Sequence, residues 1–348
     1  MKALRYSTVG QPPTIENIPV PEPVGGQVLL KVLAAGACHS DEFVMSQPVE
    51  VLGALGIGLP LTLGHEGVGE VAALGPAATG VEIGDQLAVF GGWGCGRCHT
   101  CATGAEQYCE RAATLGIRPP GLGNQGSMAE YLLVDDARHL VPLDGLDPVI
   151  AAPLTDAALT PYHAIKPVLP KLVPGSTAVV IGVGGLGHLA IQLLRALSDC
   201  QVVALDIGAD KLAFAKEMGA HHAFTSDDSA IEAVREVTGG KMATAVFDIV
   251  GIQPTCTLAS RMVHFQSEIV VVGVGDGAVP VGFFTLPYNT VVRAPYWGTI
   301  PELHEVLALA RSGTISVETE TFALDDAATV YERMHARTLR GRAVVVPA

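Results

Sequence analysis

Residues Gly182-Val183-Gly184-Gly185-Leu186-Gly187 follow the apolar run Ala178-Val179-Val180-Ile181 and lead into a helical stretch, His188 to Leu197. No other segment restricts the fold as strongly. G-x-G-x-x-G alone is a weak signal, but between an apolar strand and an amphipathic helix it marks the first turn of a dinucleotide-binding unit. The first glycine permits a tight turn, the second lets backbone approach a pyrophosphate, and the third lets helix pack on strand. The phosphates then meet a helix N-terminus, where unpaired N–H groups and the helix dipole favour anions. Asp206 closes the next strand, Val202-Val203-Ala204-Leu205-Asp206, where a carboxylate accepts hydrogen bonds from the adenosine ribose. A carboxylate there repels a 2′-phosphate, which favours NAD over NADP. The competing reading is a glycine-rich turn with a solvated aspartate, and the strand–helix context outweighs it.

The same texture continues downstream. A helix from Asp210 to Met218, a helix from Ser229 to Val237 and strands at Ala245–Val250 and Ile269–Val272 follow in alternation. Fully apolar strands alternating with helices predict a doubly wound parallel sheet covered on both faces. The first 150 or so residues read differently. Short β-prone runs (Val28–Val32, Gly67–Val71, Asp85–Val89) are separated by Gly and Pro, as in a compact β-rich domain. From about residue 291 the chain returns to mixed character and ends in the strand Arg342–Val346, which needs a partner and is expected to rejoin the first domain. Residues 1–156 and 291–348 are therefore assigned to one domain and 157–290 to the nucleotide-binding domain.

A chain of 348 residues with 49% hydrophobic and 16% charged residues is long enough for two cores. Its formal charge of −14 argues against a nucleic-acid partner, which favours a basic face. No apolar run has the length of a membrane span. The opening Met1-Lys2-Ala3-Leu4-Arg5 lacks the apolar core of a signal peptide, so a cytoplasmic location is expected.

Seven cysteines in such a chain point to metal or redox chemistry rather than disulfides. Cys95-x2-Cys98-x2-Cys101-x7-Cys109 supplies four thiolates on one glycine-rich lobe, 91–112. An all-thiolate tetrahedral zinc site is closed and structural. An iron–sulfur cluster is the rival, but the last gap is seven residues rather than three and no Pro follows Cys109. Cys200 and Cys256 stand alone and read as small buried side chains.

A second constellation is scattered: Cys38-His39-Ser40-Asp41, Gly64-His65-Glu66-Gly67 and Asp156. Each alone has an ordinary reading: a core thiol, a satisfied histidine, a helix N-cap. Periodicity does not show that they meet.

In order and spacing, however, the Cys-His-Ser-Asp tetrapeptide, the Gly-His-Glu-Gly-Val-Gly run, the cysteine lobe and the nucleotide turn resemble medium-chain zinc-dependent alcohol dehydrogenases. The likeness runs from Met1-Lys2-Ala3 to the Arg340-Gly341-Arg342 tail. It is strongest towards the bacterial NAD-dependent secondary-alcohol dehydrogenases, at Pro153-Leu154-Thr155-Asp156-Ala157 and Ala294-Pro295-Tyr296-Trp297-Gly298. The resemblance implies a β-rich GroES-like catalytic domain beside a Rossmann domain. It implies two zinc ions per chain, a catalytic one on Cys38, His65 and Asp156 and a structural one on Cys95, Cys98, Cys101 and Cys109. Asp41 then orients His65, Glu66 lies beside the metal, and Ser40 accepts the alcohol proton and passes it towards the cofactor ribose. Thr160, Val274 and Trp297 match positions lining the nicotinamide, His39 and Arg340 the pyrophosphate, and Lys211 the ribose. With Gly182, Gly184, Gly185, Leu186, Gly187 and Asp206 they make up the expected NAD site.

Phe43 departs from the family pattern, because many relatives carry a histidine there that completes the proton relay. It is expected instead to wall an apolar pocket with Leu122, Tyr296 and Trp297. The glycine-rich segment Val49 to Leu61 lies where that branch varies. The expected reaction is hydride transfer between NAD and a medium-chain or aryl secondary alcohol/ketone pair. The alternatives are a zinc dehydrogenase of aldehydes, primary alcohols, amino alcohols or polyols, a zinc-free quinone reductase, and a non-catalytic NAD(H)-binding protein on the same scaffold. A homo-oligomer is implied, a tetramer before a dimer.

Overall fold

The computed structural model describes residues 1–116 and 118–347, and the chain divides into two compact units. The second unit, Thr160–Tyr296 with Gly313–Ile315, contains a six-stranded sheet. Across the sheet its strands run His222–Thr225, Gln201–Asp206, Thr177–Ile181, Ala243–Asp248, Val263–Val271 and Val291–Arg293. Every pairing is parallel. In chain order this is 3-2-1-4-5-6, the arrangement whose reversal point between the first and fourth strands holds dinucleotides. Sequence composition produces it directly. All five residues of Thr177–Ile181 are buried, as a strand covered on both faces requires. Val179, Ile181, Val203, Leu205, Val246 and Ile269 form its core with Ala230 and Val234 of the helix Ser229–Val237. Each fully buried Val, Leu or Ile contributes roughly 1.5–3 kcal/mol.

The first unit comprises Met1–Leu159, Trp297–Ser312 and the chain from Ser316 onward. Its larger sheet is seven-stranded and centres on Val28–Gly36. That strand pairs antiparallel with Glu66–Leu74, Tyr131–Val134 and Arg342–Val346. Lys31 is exposed between buried Leu30 and Val32, the period-two alternation of a half-covered strand. Leu30, Val32, Val71, Leu87, Val89, Leu132, Val134 and Val345 share one core with Leu4, Tyr6 and Tyr331. A three-stranded sheet, Thr14–Asn17, Lys2–Tyr6 and Leu61–Thr62, packs in the same unit. Among the described residues no helix is long and apolar enough to cross a membrane.

Two consequences position the site. The C-terminal strand lies beside Val28–Gly36, with Val344 opposite Gly36, so residues more than 300 apart in sequence become neighbours. Between helices Pro148–Pro153 and Leu159–Ile165 the chain widens into a π-helical turn, Leu154–Ala158, a distortion that recurs at functional sites.

Candidate active site

Cys38 follows the central strand and caps the helix His39–Ser46, whose third residue, Asp41, folds back. The Cys38 backbone N–H donates to Asp41 Oδ2 at 3.1 Å. His65 and Glu66 enter the antiparallel strand Glu66–Leu74, and Asp156 lies inside the π-helical turn. Asp156 is thus no helix N-cap, and the ordinary reading of that residue fails. Four ligand atoms, one each from Cys38, His65, Glu66 and Asp156, lie within 4.8 Å of one another, and all four residues are buried. Asp156 Oδ2 is 3.8 Å from Cys38 Sγ and 3.5 Å from His65 Nε2. Tetrahedral zinc with N, O and S ligands at 2.0–2.3 Å sets its ligand atoms roughly 3.3–3.8 Å apart, so the observed spacing accommodates one ion.

The polar atoms point the same way. His65 Nε2 and Glu66 Oε2 are buried with no hydrogen-bond partner. Orphaned buried groups are costly unless a cation or other partner completes them. The other imidazole nitrogen, His65 Nδ1, lies 3.0 Å from Asp41 Oδ1, the carboxylate–histidine pairing that leaves Nε2 for a metal. Burial disfavours charging His65, yet the Asp41 carboxylate, with Asp156 and Cys38, outweighs it and holds the imidazole well above its ordinary range. Glu66 is pushed up to about 7, chiefly by burial and further by Asp156, against the pull of Arg342. Arg342 is itself buried, and its guanidinium donates to Glu66 Oε1. Behind this pair Gly36 has no room for a side chain: a Cβ there would lie 1.9 Å from Glu66 Oε2.

Trp297 completes the surround. The residue is 96% buried, and its indole stands edge-on to His65 with ring centroids 5.6 Å apart and donates Nε1–H to the Thr155 carbonyl at 3.0 Å. Its backbone sits at φ 56°, a left-handed conformation costing about 1–2 kcal/mol for a residue with a Cβ. Ser40 Oγ lies 3.9 Å from Cys38 Sγ and is half-buried, while Phe43 and His39 on the same helix are exposed. Leu122 is half-buried against the core.

In the cysteine lobe the four Sγ atoms of Cys95, Cys98, Cys101 and Cys109 also lie within 4.8 Å of one another. Separations of 3.2 Å (Cys98–Cys101) and 3.9 Å (Cys95–Cys101, Cys98–Cys109) are too long for disulfides and bracket the roughly 3.8 Å edge of a zinc–thiolate tetrahedron. A four-iron cluster, with one thiolate on each iron, would spread its sulfurs further apart. Backbone N–H groups of Cys95 and Arg111 donate to Cys109 Sγ, each at 3.4 Å. A hydrogen bond from Thr100 and backbone donors bring Cys98 down to about 6, whereas burial and the neighbouring Cys98 push Cys101 up to about 12. Four converging sulfurs do not ionise together without a cation between them.

The lobe is anchored by a buried ionic chain that sequence reasoning missed. Glu106 Oε2 accepts from the Gly94 N–H at 2.8 Å and lies 3.1 Å from His139 Nε2, while Arg138 Nε donates to Oε1 at 2.9 Å. His139 Nδ1 lies 2.7 Å from Asp135, and the imidazole stacks on Trp93. Burial opposes charge on Glu106, but His139 and Arg138 prevail and hold it down at about 2.

The glycine turn lies in the second unit, between the strand Thr177–Ile181 and the helix Gly187–Leu197. Gly182 adopts φ 92°, and a Cβ on Gly187 would meet the Gly182 carbonyl at 1.8 Å, so helix and strand close on hydrogen atoms alone. Gly184 faces open space, with nothing within 4 Å of where its Cβ would be. The turn then enters the helix Gly187–Leu197 through Gly185 and the N-cap Leu186. Asp206 holds the turn, accepting from Val183 N–H at 2.7 Å and Gly208 N–H at 3.0 Å. Thr160, Lys211, Val274 and Tyr296 belong to this unit; Thr160 is buried, Lys211 half-buried, Val274 and Tyr296 exposed. Arg340 is exposed at the other end of the chain, its backbone N–H on Glu320 Oε1 at 2.8 Å.

Arg342, Gly91 and Tyr331 were not anticipated as site residues. A Cβ on Gly91 would lie 2.0 Å from the Trp297 ring, and the Tyr331 hydroxyl donates to Asp41 Oδ2 at 3.1 Å. No periodicity reveals such contacts, because each joins remote segments.

Residues 25–145 match the alcohol dehydrogenase GroES-like domain and residues 185–312 the zinc-binding dehydrogenase family. The chain is 33% identical over 357 residues to an NAD-dependent alcohol dehydrogenase of Sulfurisphaera tokodaii, spanning 100% of both chains. It is 31% identical to a D-arabinose 1-dehydrogenase (NADP(+)) of Saccharolobus solfataricus, over 99% of this chain and 97% of that one. Its fold is similar to the crystal structure of the alcohol dehydrogenase from Aeropyrum pernix, with a TM-score of 0.91 and 30% identity over 100% of both chains.

Proposed function

Because the chain belongs to the medium-chain zinc alcohol dehydrogenase family, we propose that it transfers hydride between NAD and a secondary alcohol/ketone pair, medium-chain or aryl-bearing. The carrying observation is the convergence of Cys38, His65 and Asp156 in a buried site whose His65 Nε2 is orphaned. These three residues hold the catalytic zinc, with Glu66 beside it, and Cys95, Cys98, Cys101 and Cys109 hold a structural zinc. Zinc when bound supplies a Lewis acid that eases ionisation of an alcohol hydroxyl or polarises a carbonyl, and NAD supplies the hydride acceptor.

The chain's own groups do the rest. Asp41 retains the proton on His65 Nδ1, which keeps Nε2 a ligand and fixes the ring. Ser40, half-buried next to Cys38, takes the alcohol proton on Oγ and hands it towards the cofactor ribose. Phe43 cannot relay a proton, so the route ends at solvent beyond the ribose. Phe43, Leu122, Tyr296 and Trp297 provide apolar surface for the substrate, while Thr160, Val274 and Trp297 face the nicotinamide. His39 and Arg340 serve the pyrophosphate. Asp206 and Lys211 serve the ribose, and the Asp206 carboxylate selects NAD.

A polyol or sugar substrate is the second reading, favoured by the 31% identity to the D-arabinose 1-dehydrogenase. The cysteines, none of them in a disulfide, fit a cytoplasmic enzyme. Phe265, Phe283, Phe284 and Tyr288 are 55–90% exposed near the edge strand Val291–Arg293, a surface suited to self-association as a tetramer.

Metal content per chain and NAD-dependent oxidation of secondary alcohols, primary alcohols and sugars test the proposal together. Two metals per chain and fastest turnover of secondary alcohols are expected. Asp156→Ala should lose one metal and nearly all activity; unchanged content and turnover refute the ligand set.

A further inference from the structure

Asp41 is wholly buried, and its carboxylate gathers contacts from three segments of the first unit. The Cys38 N–H donates to Oδ2 at 3.1 Å, His65 Nδ1 lies 3.0 Å from Oδ1, and the Tyr331 hydroxyl donates to Oδ2 at 3.1 Å. The first two belong to proposed zinc ligands on different elements. The third arrives from the helix Ala327–His335, 290 positions along the chain. Tyr331 is buried in the core with Leu324, Ala327, Val330 and Met334, so its ring is fixed by packing. The hydroxyl's other neighbour is Met128 Sδ at 3.2 Å, a weak acceptor beside a carboxylate. The phenol proton therefore goes to Asp41.

We propose that Tyr331 is a positioning residue for the catalytic metal, acting through Asp41. A carboxylate held only by Cys38 and His65 can rotate about its Cβ–Cγ bond, and each rotation tilts the imidazole or loosens the Cys38 turn. A third donor, anchored in the core, locks that torsion. A charge-assisted O–H···O⁻ bond is among the stronger hydrogen bonds a buried site contains. Partners of metal ligands change metal affinity by 10–100-fold when removed. Tyr331 stands one bond further out than Asp41, so its effect falls at the low end, about tenfold.

This inference rests on the ligand set proposed above, and the test separates the two. The purified holoenzyme and its Tyr331→Phe variant are challenged with a chelator, and release of each metal is timed, the four-cysteine ion serving as internal reference. The variant should release the catalytic metal about tenfold faster and the cysteine-lobe metal at the wild-type rate, with kcat lowered and KM for NAD unchanged. In an Asp41→Asn background, Tyr331→Phe should add nothing, because the path runs through Asp41. Wild-type release rates, equal acceleration at both sites, or additive effects in the double variant overturn the role of Tyr331. A wild-type protein lacking the second metal overturns the ligand set itself.

Discussion

Gly91→Ala is a single-methyl change expected to disturb the proposed metal site without touching a proposed ligand. A Cβ on Gly91 would stand 2.0, 2.5 and 2.8 Å from three Trp297 ring carbons, where contact distances of about 3.5 Å are needed. The indole must therefore retreat by roughly 1.5 Å, or the strand must shift. A retreat of that size stretches the 3.0 Å bond from Nε1 to the Thr155 carbonyl beyond hydrogen-bonding range. Losing that bond in a buried place costs about 1–3 kcal/mol, and overpacking adds about 1–3 kcal/mol. The sum, about 2–4 kcal/mol after partial relaxation, lowers the melting temperature of this unit by roughly 5–15 °C. Thr155 precedes Asp156, so catalytic-metal retention should fall as well. The chain has only two tryptophans, Trp93 and Trp297, so a Trp93→Phe background isolates the Trp297 emission. Gly91→Ala in that background should shift the emission to longer wavelength and lower both melting temperature and activity. A variant with unaltered emission, stability and metal content would show that the indole is not wedged against Gly91, and the reasoning falls.

Other outcomes follow from the same contacts. Glu106 is held near 2 against an ordinary 4.5, so its ionised form favours the fold; the gain is complete above pH 4.5 and disappears as pH falls towards 2. Glu106→Gln should cost about 2 kcal/mol at pH 7, allowing for solvent screening around half-exposed Arg138, and the gap to wild type should close in urea titrations run at successively lower pH. Gly187→Ala places a Cβ 1.8 Å from the Gly182 carbonyl and should leave little folded protein, whereas Gly184→Ala meets nothing within 4 Å and should fold normally. Steady-state kinetics on Gly184→Ala should then show KM for NAD raised at least tenfold with the melting temperature unchanged, since the methyl group occupies phosphate space.

The nucleotide unit was legible from sequence because its signals are local. Apolar strands such as Ala178–Ile181, covered on both faces, have one reading, and the spacing of Gly182, Gly184 and Gly187 states where backbone must approach backbone or ligand. The helix expected from His188 to Leu197 begins one residue earlier, at Gly187. The cysteine lobe was legible for the same reason: one loop brings its own four sulfurs together. What escaped were the pairings of long sequence separation. Arg342 looks like any polar residue at the start of a terminal strand, and only the register placing Val344 opposite Gly36 brings it to Glu66. Gly91 is one of 40 glycines, and its role exists only because Trp297, some 200 residues on, turns back at positive φ. His139 and Arg138 gave no sign of meeting Glu106.

These late-arriving residues share an origin that bears on how the site is kept in shape. Arg342, Tyr331 and Trp297 all come from the C-terminal part of the chain, yet each touches a group at the catalytic cluster: Arg342 the Glu66 carboxylate, Tyr331 the Asp41 carboxylate, Trp297 the His65 ring. The N-terminal segments contribute every proposed ligand, and the C-terminal segments contribute the groups that hold those ligands in one orientation. Asp156 and the neighbouring Glu66 bring two buried carboxylates together at this cluster, unfavourable without a compensating positive charge. Arg342 places a fixed positive charge against it, and the Tyr331 hydrogen bond and the Trp297 ring contact restrict its rotation. A chain truncated before Ala327 would retain all seven proposed zinc ligands but neither Arg342 nor Tyr331. The cluster therefore owes its shape to a tertiary closure that residue spacing in the sequence does not encode, and the C-terminal strand and helix belong to the proposed metal site as much as its proposed ligands do.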